Sequence, residues 1–361
     1  MLVRTLQVAV SSALIVGVFV YAIPKIAVYS KVWASISGLT LTQLLLLVAA
    51  TAFNIATYWP QMTASMPGLT IAQAAVNNQS STTVANTVPG GGFLANGITW
   101  GMYRSWGFTN GQIGLSVLLT AIWNSFIKLG LPIIAVLILA IQGSRKVTLL
   151  VPALIGLGIL IGVVLLFALT LWKKPLARRI GHGLSRAASS VRRLVRKPPV
   201  ADWGEAAVGF RKRTIKVVAK RWIPLTLATV VSHIGLYIVL LISLRFVGVT
   251  ESEIGWAEIL SVFAFGRLLT ALPLTPGGLG VVELAYIGGL VLAGRHHTTA
   301  SPEVFRAQVA AGVLLFRTLT YGAQIPLGGI TYLIWRFKKS WRKAPTTESE
   351  PGSAPVPVPI G

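Results

Sequence analysis

The stretch Pro273-Leu-Thr-Pro-Gly-Gly-Leu-Gly-Val-Val-Glu283 decides how this chain is read. An apolar run at 256–272 leads into it, and a second continues from it to 294. Pro and paired Gly interrupt a helix and free backbone N–H and C=O groups. At membrane depth such a break survives only where it is buried in protein or lines a watery cavity. A second segment has the same order of parts. Residues 69–80 lead into Thr87-Val-Pro-Gly-Gly-Gly-Phe93, and the chain continues to Trp106. That segment is too polar for an ordinary span and too apolar for an ordinary loop. Each reads as helix, Pro-Gly-Gly break, helix.

Around these two segments lie six apolar runs, at 6–29, 40–60, 111–141, 148–171, 223–249 and 304–335. A helix that crosses a bilayer needs about 20 such residues at about 1.5 Å each. The first run has a long apolar core with no small-x-small cleavage site after it, so it reads as a retained span. The runs are continuous rather than alternating, and open sheets do not survive in lipid, which excludes strands. Composition agrees: 54% of the 361 residues are hydrophobic, 11% are charged and the mean hydropathy is +0.72. A soluble domain carries about 25% charged residues. The expected fold is therefore an all-α polytopic membrane protein with six clear spans plus two broken hairpins. The expected organisation is an N-terminal span (1–39), a first membrane half (40–171) with hairpin 69–107, and a basic loop (172–222). A second half (223–335) with hairpin 255–294 and a tail (336–361) complete it. With no Cys, 4 His and a single Asp, Asp202, the chain excludes disulfides, thiolate chemistry and Cys/His zinc sites. It offers little to carboxylate catalysis.

The net charge of +23 would suggest nucleic acid in a soluble protein. Its location points elsewhere. Residues 172–222 hold fifteen Lys and Arg against Asp202 and Glu205, and the tail adds Arg336, Lys338, Lys339, Arg342 and Lys343. By the positive-inside rule both segments face the cytoplasm, and the basic loop is expected to attract anionic lipid headgroups. No reader motif or interleaved aromatics accompany the charge, so no nucleic-acid partner is expected. The composition from 344 onward reads as disordered. This orientation brings the second hairpin in from outside, beside Glu251 and Glu253, and the first from the cytoplasm. Lys25, Lys31, Arg145 and Lys146 then fall on or near the outer face, against the rule, while most bases stay inside. The expected location is the cell membrane, with multiple passes.

Like hairpins entering from opposite faces form the inverted-topology arrangement of many secondary transporters. Pro89-Gly90-Gly91 answers Pro276-Gly277-Gly278, with Thr87 and Thr275 ahead of them. The next run in each half has an internal proline, Pro132 and Pro326, after the pairs Asn124 with Lys128 and Arg317 with Gln324. Gly158-x-x-x-Gly162 in the fourth run suits close helix packing within or between chains, so a homo-oligomer is allowed.

The string Pro-Gly-Gly-x-Gly-x-x-Glu at 276–283, within a polytopic chain, resembles the transmembrane, flippase-type region of lysylphosphatidylglycerol synthetases and of stand-alone proteins similar to it. The resemblance covers roughly residues 40–335, with Pro89-Gly90-Gly91 as a weaker copy. It implies movement of an aminoacylated or otherwise modified lipid between leaflets. The synthetases also carry a soluble domain that attaches the amino acid. No folded-looking soluble segment here exceeds the basic loop, so transport without synthesis is expected.

Ionisable residues in the bilayer cost about 2.5–3.5 kcal/mol on insertion scales, so each one needs a reason. Glu283 follows the glycine break, close to the positive end of a half-helix. It could bind a lipid ammonium or carry a proton. Alternatively, it holds the hairpin through an ion pair with Arg267 or Arg317. Arg317 lies midway along the sixth run, Arg267 in the second hairpin and Lys128 in the third run. One acid cannot neutralise three bases, and a guanidinium fork suits phosphate, so these bases are candidates for a phospholipid headgroup. Gly90, Gly91, Gly277, Gly278 and Gly280, with Pro89 and Pro276, turn the backbone and expose amides. Gly278-Leu-Gly280 is no dinucleotide fingerprint, and no cofactor is expected. Asn77 and Asn78 either line a polar cavity or cap a helix. His233 reads as a packing residue, and His296-His297 as a loop pair. The leading expectation is a lipid flippase-like transporter with no catalytic constellation. A non-transporting scaffold and a membrane-embedded enzyme on a lipid-linked substrate are the alternatives.

Overall fold

The computed structural model describes residues 27–88, 91–142, 150–194, 198–270 and 275–343, together with Val16, Val20 and Ile23. Most of the first expected span, Pro89 and Gly90, residues 271–274 and the tail from 344 lie outside the described residues. Every regular element among the described residues is helical: the chain is an all-α polytopic membrane protein. In chain order the helices are α1 (Tyr29–Ser37), α2 (Leu41–Ser65), α3 (Ile71–Thr87), α4 (Gly91–Ser105), α5 (Asn110–Ile141) and α6 (Leu150–Trp172). Then come α7 (Lys174–Leu194), α8 (Gly204–Phe246), α9 (Trp256–Leu269), α10 (Val281–Gly294), α11 (Pro302–Arg317) and α12 (Gln324–Phe337).

Three helices in the first half, α2, α3 and α5, start on one repeated device. Thr40, Thr70 and Thr109 each accept a bond from the backbone N–H of the glutamine three residues on. The Gln43, Gln73 and Gln112 side chains reach back to the threonine N–H at 2.9–3.1 Å. These capping boxes satisfy donors that lipid could not. In the second half, glutamates do the reaching: Gly255 N–H donates to Glu258 and Gly280 N–H to Glu283.

Both broken hairpins form. Their arms α3, α4, α9 and α10 have 17, 15, 14 and 14 residues. At about 1.5 Å per residue each is shorter than the ~30 Å hydrocarbon core. The apolar run Pro276–Gly294 has the length of a span, but only its last part, α10, is α-helical. Its tip is a 3₁₀ turn, Pro276–Gly278, with Gly277, Gly278 and Gly280 at φ of 56°, 75° and 86°. L side chains rarely adopt those angles, so the tip requires its glycines.

Two segments show structure that hydropathy does not resolve. The sixth run is helical but not uniformly α: α11 ends at Arg317, a π-helical turn follows at Thr318–Gly322, and α12 begins at Gln324. Pro326 lacks an N–H and crowds the carbonyl four residues back, at Gly322, which accounts for the widened turn. The basic segment between the fourth and fifth runs is helical as well. It folds into α7 and the first turns of α8, a helix of 43 residues and about 65 Å, twice the hydrocarbon thickness. Arg178 pairs with Glu205, His182 Nδ1 lies 2.5 Å from Asp202 Oδ1, and the Arg211 guanidinium donates to Trp172 O at 2.9 Å. Desolvation, the largest single influence, pushes the Asp202 carboxyl up. The bonds from His182, the Gly204 N–H and Ser185 outweigh it and hold the group below the usual carboxylate range.

Polar side chains join the helices within the membrane. Asn54 of α2 donates to Ser232 O of α8 at 2.8 Å, and Gln61 donates to Thr229 Oγ1 at 2.8 Å. His233 is buried with Nδ1 2.9 Å from Thr229 O, a packing position. The Ser80 hydroxyl of α3 shares a bond with Thr331 of α12 at 3.0 Å, and Thr83 donates to Gln324 O at 2.9 Å. Gly158 and Gly162 meet nothing within 4 Å, so among the described residues they seat no neighbouring helix.

The α3–α12 seam depends on Gly328. A Cβ there would stand 1.8 Å from Thr83 Oγ1 and 2.3 Å from Gln79 O, whereas one at Gly329 would meet nothing within 4 Å. Gly328→Ala should therefore lower unfolding stability by about 1–3 kcal/mol. Gly329→Ala should leave it unchanged. Thermal unfolding of both variants in one detergent checks the difference.

Candidate functional site

The two hairpin tips meet around a cavity of about 440 Å³. The first hairpin contributes Thr82, Ala85 and Asn86 from the end of α3, and Gly91 and Gly92 from the start of α4. The second contributes Arg267 and Thr270, then Thr275, Pro276, Gly277 and Gly278 of the tip, and Tyr286 of α10. Lys128 of α5, Tyr58 of α2 and Leu236 of α8 close the sides. Arg317, Thr320, Tyr321 and Gln324 project from the broken α11–α12 helix.

Arg317 holds this wall together. Its Nε donates to Glu283 Oε1 at 2.5 Å and its Nη2 to Gly277 O at 3.1 Å. Its guanidinium lies 4.5 Å from the centre of the Tyr321 ring. The other Glu283 oxygen accepts the Gly280 N–H at 2.6 Å. The Tyr321 hydroxyl donates to Asn86 O of the first hairpin at 2.6 Å, with Pro276 O of the second at 3.3 Å. One arginine–glutamate pair and one tyrosine thus tie both tips to the π turn. Glu283 is fully buried and stands behind the wall rather than on it, as does Gly280.

Arg267 and Lys128 are placed differently. Among the described residues the buried Arg267 Nε has no hydrogen-bond partner, and neither side chain is in an ion pair. Among the described residues no Asp or Glu lines the wall. The N-terminus of α4, at Gly91 and Gly92, adds the positive end of a helix dipole. Thr82 and Asn86, one helical turn apart on α3, present a hydroxyl and an amide. Fixed positive charge, neutral donors and no carboxylate among the described lining residues are the chemical features that suit an anion.

Of the residues singled out in the sequence, the structure thus brings Lys128, Arg267, Arg317, Pro276, Gly277, Gly278 and Gly91 to one wall, with Glu283 and Gly280 directly behind. Pro89 and Gly90 are outside the described residues. Asn77 and Asn78 are not on the wall. Asn77 is buried inside the first hairpin, its amide 3.4 Å from Tyr103 Oη, and Asn78 is half-buried in α3. Sequence reasoning missed Asn86, Thr82, Thr320 and Tyr321, and noted Gln324 only as the companion of Arg317 ahead of Pro326. Thr320, Tyr321 and Gln324 share a signal, because they fall three, four and seven residues after Arg317.

A helical membrane bundle with two broken hairpins facing a polar cavity is an architecture for handling solutes or lipids at bilayer depth. The chain matches the family described as lysylphosphatidylglycerol synthase TM region over residues 5–328, and it belongs to that family. It is a membrane protein related to lipid handling. No match to a curated protein accompanies this one.

The buried pair makes a two-part prediction. Glu283→Ala leaves Arg317 uncompensated and should cost about 3–5 kcal/mol of stability. Glu283→Ala combined with Arg317→Met removes both charges and should recover much of that loss. Denaturant unfolding followed by tryptophan fluorescence measures both.

Proposed function

We propose that the protein is a lipid flippase-like transporter that moves a phosphate-bearing headgroup lipid, anionic or zwitterionic, between leaflets. The observation that carries this reading is the central cavity, where both hairpins meet around Arg267, Lys128 and Arg317 with no carboxylate on the wall. Arg267 and Lys128 bind the phosphate. Arg317 and Glu283 set the geometry of the tip, and the apolar faces of the hairpins accommodate the chains.

The packing supports an alternating mechanism. Partners correspond between halves: α3 packs on α12 as α9 packs on α5, and α2 meets α5 as α8 meets α11. With the basic arm in the cytoplasm of a cell, by the positive-inside rule, the first hairpin enters from inside and the second from outside. Rocking one half against the other about the α2–α8 seam opens the same cavity to each leaflet in turn. The basic arm rests on anionic headgroups. No step of this scheme makes or breaks a covalent bond.

Labelled phospholipid exchange in proteoliposomes tests the proposal. Wild type should exchange lipid faster than protein-free vesicles, and Arg267→Gln or Lys128→Gln should each slow it about tenfold, the worth of one charge-assisted bond. Equal rates in wild type and empty vesicles would refute transport.

A further inference from the structure

The acids of the chain can be accounted for one by one. Nine are present, of which Glu348 and Glu350 lie in the tail beyond the described residues. Asp202 and Glu205 are on the basic arm with His182 and Arg178. Glu251 pairs with Arg245, and Glu303 with Lys31. Glu253 accepts from Thr298 and Thr250. Glu258 caps α9 at the Gly255 N–H and faces a separate apolar cavity. Among the described residues, Glu283 is the acid bonded to a cation of the central cavity, and both its oxygens are already engaged with Arg317 and the Gly280 N–H.

The cluster of Lys128, Arg267, Arg317 and Glu283 therefore carries two positive charges with no counter-charge among the described residues, on half-buried side chains that line the cavity. Taking on a singly charged phosphodiester leaves one of them unmatched, which costs binding energy. A zwitterion leaves both. A phosphomonoester carries about −1.5 to −2 at pH 7 and offers three strong acceptor oxygens. Those oxygens match what the wall has unused: the Arg267 fork, the Lys128 ammonium, the Thr82 hydroxyl and the Asn86 amide.

Resting on the transport reading above, we propose that the cavity selects a dianionic phosphomonoester headgroup over phosphodiester, zwitterionic and aminoacylated headgroups. An aminoacylated lipid brings a further positive charge to a cluster that already has two in excess. The cavity repels it.

The test is binding to the full-length protein in an uncharged detergent. The probes are short-chain phosphatidic acid, phosphatidylglycerol and phosphatidylethanolamine, with sn-glycerol 3-phosphate as the chain-free phosphomonoester. At pH 7.5 phosphatidic acid should bind about tenfold tighter than phosphatidylglycerol, one extra charge-assisted bond. The preference should shrink at pH 5, below the second phosphate ionisation near 6. Arg267→Gln and Lys128→Gln should each abolish it. Equal or tighter binding of phosphatidylglycerol or phosphatidylethanolamine to wild type overturns the charge count. Binding of sn-glycerol 3-phosphate as tight as that of phosphatidic acid overturns the lipid as ligand. Selective binding without leaflet exchange defeats the transport reading and leaves the headgroup assignment standing. Exchange of every headgroup at one rate does the reverse.

Discussion

The Glu283–Arg317 pair is the constraint on which the site depends. Two side chains, 1% and 13% exposed, join the start of α10 to the end of α11. Without Arg317 the Glu283 carboxylate would be a charge in hydrocarbon, and without Glu283 the Gly280 N–H would lose its acceptor at a helix start. Each cost is removed by the same contact. The pair also explains why the glycine tip holds one shape, because Arg317 donates from Nη2 to the Gly277 carbonyl. The π turn that follows Arg317 then swings Thr320 and Tyr321 to the cavity, and Tyr321 carries the constraint across to Asn86 of the other hairpin.

The two hairpins differ in charge, and the proposed anion site rests on that difference. At the first hairpin α3 is capped by Gln73, a neutral side chain, and the start of α4 opens on the cavity with no acid nearby. At the second hairpin the caps are Glu258 and Glu283. Glu283 is used up by Arg317, which leaves Arg267 and, from the first half, Lys128 without a counter-charge. A fully symmetric chain, with an acid at each tip, would have neutralised its own cavity.

Much of this was legible in the sequence, for a physical reason. Hydropathy is a local property, and lipid enforces it strictly, so the runs at 111–141 and 148–171 became α5 and α6 almost to the residue. The Pro-Gly-Gly breaks were legible because few other residues permit such a turn. The basic segment misled because charge density resembles a loop, although Arg179, Arg186 and Arg193 recur every seven residues on what became one face of α7. The break at 318–322 was hidden because a hydropathy window averages across it, and only Pro326 hinted at it. Which base would take Glu283 was not legible at all. Arg267 and Arg317 lie 16 residues before and 34 after it, and only the fold decides which comes within bonding distance.

That choice bears on how Glu283 can act. A carboxylate at the start of a half-helix invites a role as a ligand for a lipid ammonium or as a proton carrier. To bind an ammonium here, Glu283 would have to give up Arg317, leaving a guanidinium buried beside the incoming cation. To take a proton it would have to break a charge-assisted bond on one oxygen while the other still accepts the Gly280 N–H. Both routes begin by dismantling the tip that forms the cavity. Arg267 and Lys128 can take a ligand without breaking any bond among the described residues. A site binds most readily where its groups are already placed and still unsatisfied, so in the proposed transport the acid serves as the support and the two remaining bases as the hands.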